Sequence, residues 1–320
     1  MTISRRNFLK SLGLGSAALA LPAKARAMGV KDETSELVTL IDLNLCIGCG
    51  ACVDACKESN GHKFPKPEKP FPAMRPNRVA VEDWSDRQDE TERLTPYNWL
   101  MLQHADVEYR GETHTLHVPR RCLHCQNPPC ANLCPWGSAS QQENGIVRID
   151  DATCLGGAKC RMVCPWSIPQ RQTGVGLYLK LMPSFAGNGV MYKCDRCFDR
   201  IEKGEQPACI EICPVEAQII GPRPQIVAEA RKRAEETGGF LYGLEENGGT
   251  NTIYLSPVPF DLLDQAIEKG PGKPHLAAVE NSMALEENLG WAALIAPVAG
   301  LTAGLLKTGR FLFKGEKDNA

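Results

Sequence analysis

Residues 46–56 read Cys46-Ile47-Gly48-Cys49-Gly50-Ala51-Cys52-Val53-Asp54-Ala55-Cys56. Cysteines at two successive three-residue steps, then one more after three further residues, form a spacing with a geometric purpose. A short loop so spaced wraps three thiolates around one corner of an iron–sulfur cluster. The fourth cysteine has by then entered a helix and points elsewhere. In two-cluster ferredoxins it ligates the neighbouring cluster, so two loops interlock as one module.

Working outward, three more groups repeat the device. Cys122-x2-Cys125-x4-Cys130-x3-Cys134 is followed by Pro135, Cys154-x5-Cys160-x3-Cys164 by Pro165, and Cys194-x2-Cys197-x11-Cys209-x3-Cys213 by Pro214. All 15 cysteines of the 320-residue chain fall in the four groups, so cysteine sets the chemistry. Disulfides suit exported proteins, but C-x2-C-x2-C crowds its thiols too closely for a loop-closing framework. Structural zinc would use CxxC pairs, yet it needs no helical Cys-Pro behind each group. Four groups therefore imply four clusters in two modules.

The flanks repeat too. Val38-Thr39-Leu40-Ile41-Asp42 leads into Cys46 at the same offset as Ile146-Val147-Arg148-Ile149-Asp150 leads into Cys154, and both alternate like short strands. The Cys-Pro of group two runs into Trp136-Gly137-Ser138-Ala139, and that of group four into Val215-Glu216-Ala217-Gln218-Ile219-Ile220, a return to strand. Strand, cluster loop, short helix, strand is present twice. The predicted fold class is α+β: two ferredoxin-like two-cluster modules, with insertion loops and a C-terminal transmembrane helix. Aligning Cys46 with Cys154 sets Cys49 against Gly157, Cys52 against Cys160 and Cys56 against Cys164. Group three has lost its second cysteine. Glycine cannot ligate iron, so one cluster has three thiolates only.

The N-terminus is an address. Ser4-Arg5-Arg6-Asn7-Phe8-Leu9-Lys10 is a twin-arginine signal, followed by an apolar stretch from Leu12 to Leu21 and a small-residue cleavage site at Ala25-Arg26-Ala27. That route exports folded proteins, as clusters loaded in the cytoplasm require. Loss of residues 1–27 removes five positive charges and moves the formal net charge from −2 to −7. A nucleic-acid partner, which wants a basic face, is excluded.

Residues 57–118 carry Pro65, Pro67, Pro70, Pro72 and Pro76 and read as an irregular Pro-rich insertion, a partner-contacting arm. Residues 170–193, rich in glycine, read as a second loop. Ile226–Thr237 has the pattern of an amphipathic helix ended by Gly238-Gly239. The six His show no ligand spacing. His124, between Cys122 and Cys125, either tunes a cluster through hydrogen bonds or faces solvent. Asn288–Leu306 is an uncharged, largely apolar stretch of 19 residues, just long enough to cross a bilayer. Glu280, Glu286 and Glu287 precede it, and Lys307, Arg310, Lys314 and Lys317 follow it. With the clusters exported, the positive-inside rule sets the basic tail in the cytoplasm.

With these motifs laid out, the chain resembles the four-cluster electron-transfer subunits of the dimethyl-sulfoxide-reductase superfamily. It is similar in particular to the exported, tail-anchored kind: the beta subunit of formate dehydrogenase and the iron–sulfur subunit of membrane-bound hydrogenase. Tyr242-Gly243-Leu244-Glu245-Glu246-Asn247-Gly248-Gly249-Thr250, then Tyr254 and Pro257-Val258-Pro259-Phe260, looks like a block those subunits carry before their anchor. The resemblance implies that groups one and four form module A (28–56 and 186–222), and groups two and three module B (119–185). The extension 223–288, a transmembrane helix at 289–306 and a basic tail at 307–320 complete the chain. By position, Cys46, Cys49, Cys52 and Cys213 would hold the first cluster, and Cys194, Cys197, Cys209 and Cys56 the second. Cys122, Cys125, Cys130 and Cys164 would hold the third, and Cys154, Cys160 and Cys134 the fourth, with Gly157 at the vacant corner. Nitrate reductase beta subunits are similar in lacking this cysteine and hold [3Fe–4S] there. Three [4Fe–4S] clusters and one [3Fe–4S] cluster are thus implied. The gap fits a menaquinone reductase complex better than formate dehydrogenase, whose subunits usually keep every cysteine.

The expected function is an electron conduit without a substrate of its own, on the periplasmic face of the inner membrane. Its partners would be a molybdopterin-type or multihaem cytochrome subunit and an integral membrane quinone-interacting subunit. The chain has no nucleophile motif, dinucleotide fingerprint or haem-attaching C-x-x-C-H. Two other readings stay open: a soluble periplasmic polyferredoxin, and an enzyme that binds substrate at an open iron beside Gly157.

Overall fold

The computed structural model describes residues 36–75, 81–184 and 188–284. The twin-arginine segment and the apolar stretch 289–306 lie outside them. Among the described residues no helix is long and apolar enough to cross a membrane. The strands are β1 (Leu37–Asp42), β2 (Met101–Tyr109), β3 (Glu112–Arg120), β4 (Ala139–Gln141), β5 (Val147–Ile149), β6 (Gln170–Gln172), β7 (Val190–Tyr192), β8 (Gln218–Pro222), β9 (Phe240–Tyr242) and β10 (Thr252–Ser256). The helices are α1 (Ala51–Asn60), α2 (Pro129–Asn132), α3 (Lys159–Met162), α4 (Tyr178–Leu181), α5 (Phe198–Ile201), α6 (Ala208–Glu211), α7 (Arg223–Thr237) and α8 (Phe260–Ala266).

The fold is a mixed α and β structure in which each cluster loop is fed by a strand and followed by a helical turn. β1 alternates as its sequence predicts. Val38 and Leu40 face Ile226 and Ala230 of α7, while Ile41 turns to the opposite side, into the core that holds most of the cysteines. α7 ends at Gly238, whose φ of 65° is the left-handed C-terminal stop.

The helical turns differ from expectation in one respect. Only in group one does the fourth cysteine, Cys56, lie inside a helix. In the other three groups the turn carries the third cysteine (Cys130, Cys160, Cys209), and Cys134, Cys164 and Cys213 lie just past it. The cause is local. Pro135, Pro165 and Pro214 disfavour helical backbone at the residue before them, whereas Cys56 is followed by Lys57 and α1 runs on to Asn60.

Three segments are more ordered than the sequence suggested. β1 is flanked by β8 and by β10, and β9 closes the sheet in the order β8-β1-β10-β9. Residues 240–256, read as an extension, are thus half of the sheet that supports groups one and four. Within 57–118, read as irregular, β2 and β3 form a hairpin of two nine-residue strands. Its turn, Arg110-Gly111, has positive φ at both residues (53° and 83°), the conformation that matches strand twist. Leu94, Tyr97, Trp99 and Leu100 of the same segment are buried. The arm is therefore part of the core. Residues 170–193 likewise pair as β6 and β7.

Candidate iron–sulfur sites

The four loops share one backbone device. The residue two after the first cysteine is left-handed in every group: Gly48 (φ 70°), His124 (50°), Gly156 (66°) and Arg196 (57°). This turns its N–H back onto the preceding thiol, at 3.5 Å for His124 on Cys122, 3.5 Å for Gly156 on Cys154 and 3.3 Å for Arg196 on Cys194. Two of the four positions are glycine, which adopts this backbone freely. At Gly156 a side chain would also meet the backbone of Gly189 at 2.4 Å. His124 and Arg196 bear the strain instead, and their side chains are buried.

All fifteen thiols are free. Several stand beside other cysteines of the sets expected above. Cys46 is pushed up by burial and, less strongly, by Cys213 and Cys49. Cys56 is pushed up by burial and then by Cys194, Cys209 and Cys197. Burial and then Cys164 and Cys122 raise Cys125, while burial leads for Cys160 as well, pushed to about 12 with Cys154 and Cys134 beside it. One cavity is lined by Cys122, Cys125, Cys130 and Cys164. Another is lined by Cys46, Cys49, Cys52 and Cys213.

The neighbourhoods also touch in a fixed order. Cys52 is pushed to about 12 by burial and then by Cys209, across the first and second sets. Cys194 is pushed to about 12 by burial, with Cys122 of the third set beside it and Arg121 opposing. Cys164 of the third set stands beside Cys160 of the fourth. Thiols buried in this way stay protonated unless a metal displaces the proton. Among the described residues no three His, Cys, Asp or Glu converge on one metal ion. A multi-iron core holds its thiolates further apart, one per iron, which these cysteine-lined cavities suit.

The two ends of this order reach the surface. Cys49 is exposed, with Ile47 58% and Ile212 48% exposed beside the first set. At the other end Trp136 is 63% and Met162 76% exposed, next to Cys134 and Cys160. Gly157 is exposed, and a Cβ there would meet nothing within 4 Å. Cys56, Cys194, Cys197 and Cys209, in the middle, are buried.

His124 does not face solvent. The residue is 1% exposed and Nδ1 accepts the Val147 N–H at 3.0 Å. Burial, reinforced by Arg196, Lys193 and Arg121, lowers its pKa well below the ordinary value, so it stays neutral. Spacing also hid a histidine pair. The β2–β3 register sets His104 opposite His117 with Nδ1 atoms 2.7 Å apart, and the His117 ring packs on Gly48 of the first loop. The residues the sequence reading missed are the buried cations Arg121, Lys193 and Arg196. Their only sequence signal is their position against cysteines.

The 4Fe-4S dicluster domain families match residues 45–138 and 113–223, and the twin-arginine translocation pathway signal sequence matches residues 2–22. The chain is 30% identical over 233 residues to the formate dehydrogenase-O iron-sulfur subunit of Escherichia coli, covering 70% of this chain and 68% of that one. It is 29% identical over 287 residues to the iron-sulfur subunit of the nitrate-inducible formate dehydrogenase of Escherichia coli, covering 87% and 84%. It is 28% identical over 303 residues to the hydrogenase-2 operon protein HybA of Escherichia coli O157:H7, covering 82% and 83%.

Proposed function

Because the chain belongs to the family of electron-transfer iron–sulfur subunits built on 4Fe-4S dicluster domains, we propose that it relays electrons through three [4Fe–4S] and one [3Fe–4S] cluster. It serves a membrane oxidoreductase complex that faces the periplasm, reached by the twin-arginine route. The ligand sets are Cys46, Cys49, Cys52 and Cys213; Cys56, Cys194, Cys197 and Cys209; Cys122, Cys125, Cys130 and Cys164; and Cys134, Cys154 and Cys160. The observation that carries the reading is the order of neighbouring thiols, from Cys52 to Cys209, Cys194 to Cys122 and Cys164 to Cys160. When bound, the clusters supply one-electron exchange at potentials set by charge, hydrogen bonds and exposure. The protein's part is to hold them in line, dry in the middle and accessible at both ends.

The partner at the Ile47 end is a catalytic molybdopterin-type or multihaem cytochrome subunit. At the Trp136–Met162 end it is an integral membrane subunit that handles quinone, with residues 289–306 as an anchor. The test is Cys194→Ser in membranes carrying the whole complex. Donor oxidation with an artificial acceptor should continue while quinol formation stops. Quinol formation at the wild-type rate would sink the relay.

A further inference from the structure

Three cations lie among the thiols of the second and third sets, and among the described residues no carboxylate balances them. Arg121, Lys193 and Arg196 are 3%, 5% and 3% exposed. Arg121 Nη1 donates to Cys209 Sγ at 2.7 Å, and its buried Nη2 has no partner among the described residues. Lys193 Nζ donates to the Val147 carbonyl and, at 3.0 Å, to that of Cys194. Arg196 donates to the Leu37 carbonyl, to the Asn251 carbonyl at 2.6 Å and to Thr252 Oγ1 at 2.9 Å. Carbonyls and neutral thiols orient these charges but do not cancel them, and buried cations normally pair with an anion.

An iron–sulfur core bound by thiolates is such an anion, and its negative charge grows by one on reduction. A fixed cation beside it therefore favours the reduced form. The outer end of the fourth set differs. Arg161, which follows Cys160, gives both of its terminal nitrogens to Glu82. The arginine at that end is thus balanced by a carboxylate of the protein itself.

We propose that Arg121, flanked by Lys193 and Arg196, is a charge-compensating seat that stabilises the reduced state of the cluster held by Cys56, Cys194, Cys197 and Cys209. It keeps the centre of the relay from becoming a barrier to electron passage. The inference rests on the ligand sets proposed above. Guanidinium is suited to the role because it stays charged whatever its surroundings and offers several donors at once.

The experiment is an anaerobic redox titration, followed by electron paramagnetic resonance, of the full-length, cluster-loaded protein and of Arg121→Met, Arg121→Gln and Arg121→Lys. Arg121→Met should shift the midpoint of one [4Fe–4S] cluster downward. The site at Gly157 should be unmoved, and Arg121→Lys should restore most of the shift. An unchanged midpoint in a fully loaded Arg121→Met protein overturns the proposal, as does an equal shift of all clusters. If Arg121→Met fails to load, Arg121→Gln decides: a downward shift supports the seat and an unchanged midpoint refutes it. Loading by Arg121→Lys alone also supports it, while failure of all three variants makes the role steric and refutes it. Failure of the wild type to load four clusters would instead strike the ligand sets.

Discussion

The Glu82 carboxylate grips Arg161 with both oxygens, each 2.7 Å from a guanidinium nitrogen. One of those oxygens also accepts Arg171 Nη2 at 2.7 Å, and Arg171 Nη1 reaches the Gly156 carbonyl at 3.1 Å. Glu82 belongs to the segment that reads as a loose arm, whereas Gly156 and Arg161 bracket Gly157. The insertion thus clamps the loop with the missing cysteine.

Glu82→Gln should loosen that clamp. Burial alone would raise the Glu82 pKa, but its bonds to Arg161 and Arg171 outweigh burial and leave it lowered. A carboxylate lowered in the folded state adds stability that is complete above its unfolded value, about 4.3, and is lost as pH falls through the lower folded value. At neutral pH the variant should be roughly 2 kcal/mol less stable, as for hydrogen bonds to charged groups. Below about pH 4 the difference should shrink. Urea unfolding across that range checks both, and a constant difference at every pH would refute the assignment.

The cluster loops were legible because ligation forces their spacing, and the glycine that stands at 157 where the repeat calls for a cysteine was legible for the same reason. Pro135, Pro165 and Pro214 were visible too, but not their effect of ending the turn before the fourth cysteine. The hairpin 101–120 was hidden because Arg110-Gly111 is a weaker turn signal than Asn-Gly, and the prolines before it dominated the reading. Pairing of β1 with β10 joins residues more than two hundred positions apart, and no local pattern encodes it. The buried cations were missed because Arg and Lys are ordinarily surface residues.

The exposed apolar side chains at the two ends should carry partner binding. Ile47→Asp should weaken association with the catalytic subunit, and Trp136→Ala with Met162→Asp should weaken association with the membrane subunit. Each effect should be on the order of tenfold or more if these are interface anchors. Iron content should stay at the wild-type level. Co-purification of the complex checks this, and an intact complex in both variants would remove these faces from the interface.

Export should depend on the arginine pair. Replacing Arg5 and Arg6 together with Lys should leave cluster-loaded precursor in the cytoplasm, seen by fractionation and by retention of residues 1–27. Normal arrival in the periplasm would contradict the signal assignment.

Membrane attachment should have two contributions, residues 289–306 and the partner subunit. Deleting 289–320 should weaken association without abolishing it. In a strain lacking the membrane partner, carbonate washing of the intact chain is decisive, because full release means that the stretch does not span.

Gly157→Cys should convert the end of the relay. A cubane corner without a thiolate loses its iron readily, because water or hydroxide substitutes poorly for a charged sulfur ligand. The [3Fe–4S] core that remains needs only Cys134, Cys154 and Cys160. Gly157 is exposed and has no positive φ, and an added Cβ meets nothing within 4 Å, so the new thiol enters without strain. Loss of one iron and one thiolate raises the reduction potential, which suits exchange with quinone. Anaerobic oxidised wild type should therefore show a [3Fe–4S] paramagnetic signal near one spin per chain and about fifteen irons. Gly157→Cys should lose that signal, gain an iron and turn over quinone more slowly. A wild-type protein with no such signal and about sixteen irons would mean that another ligand fills the corner.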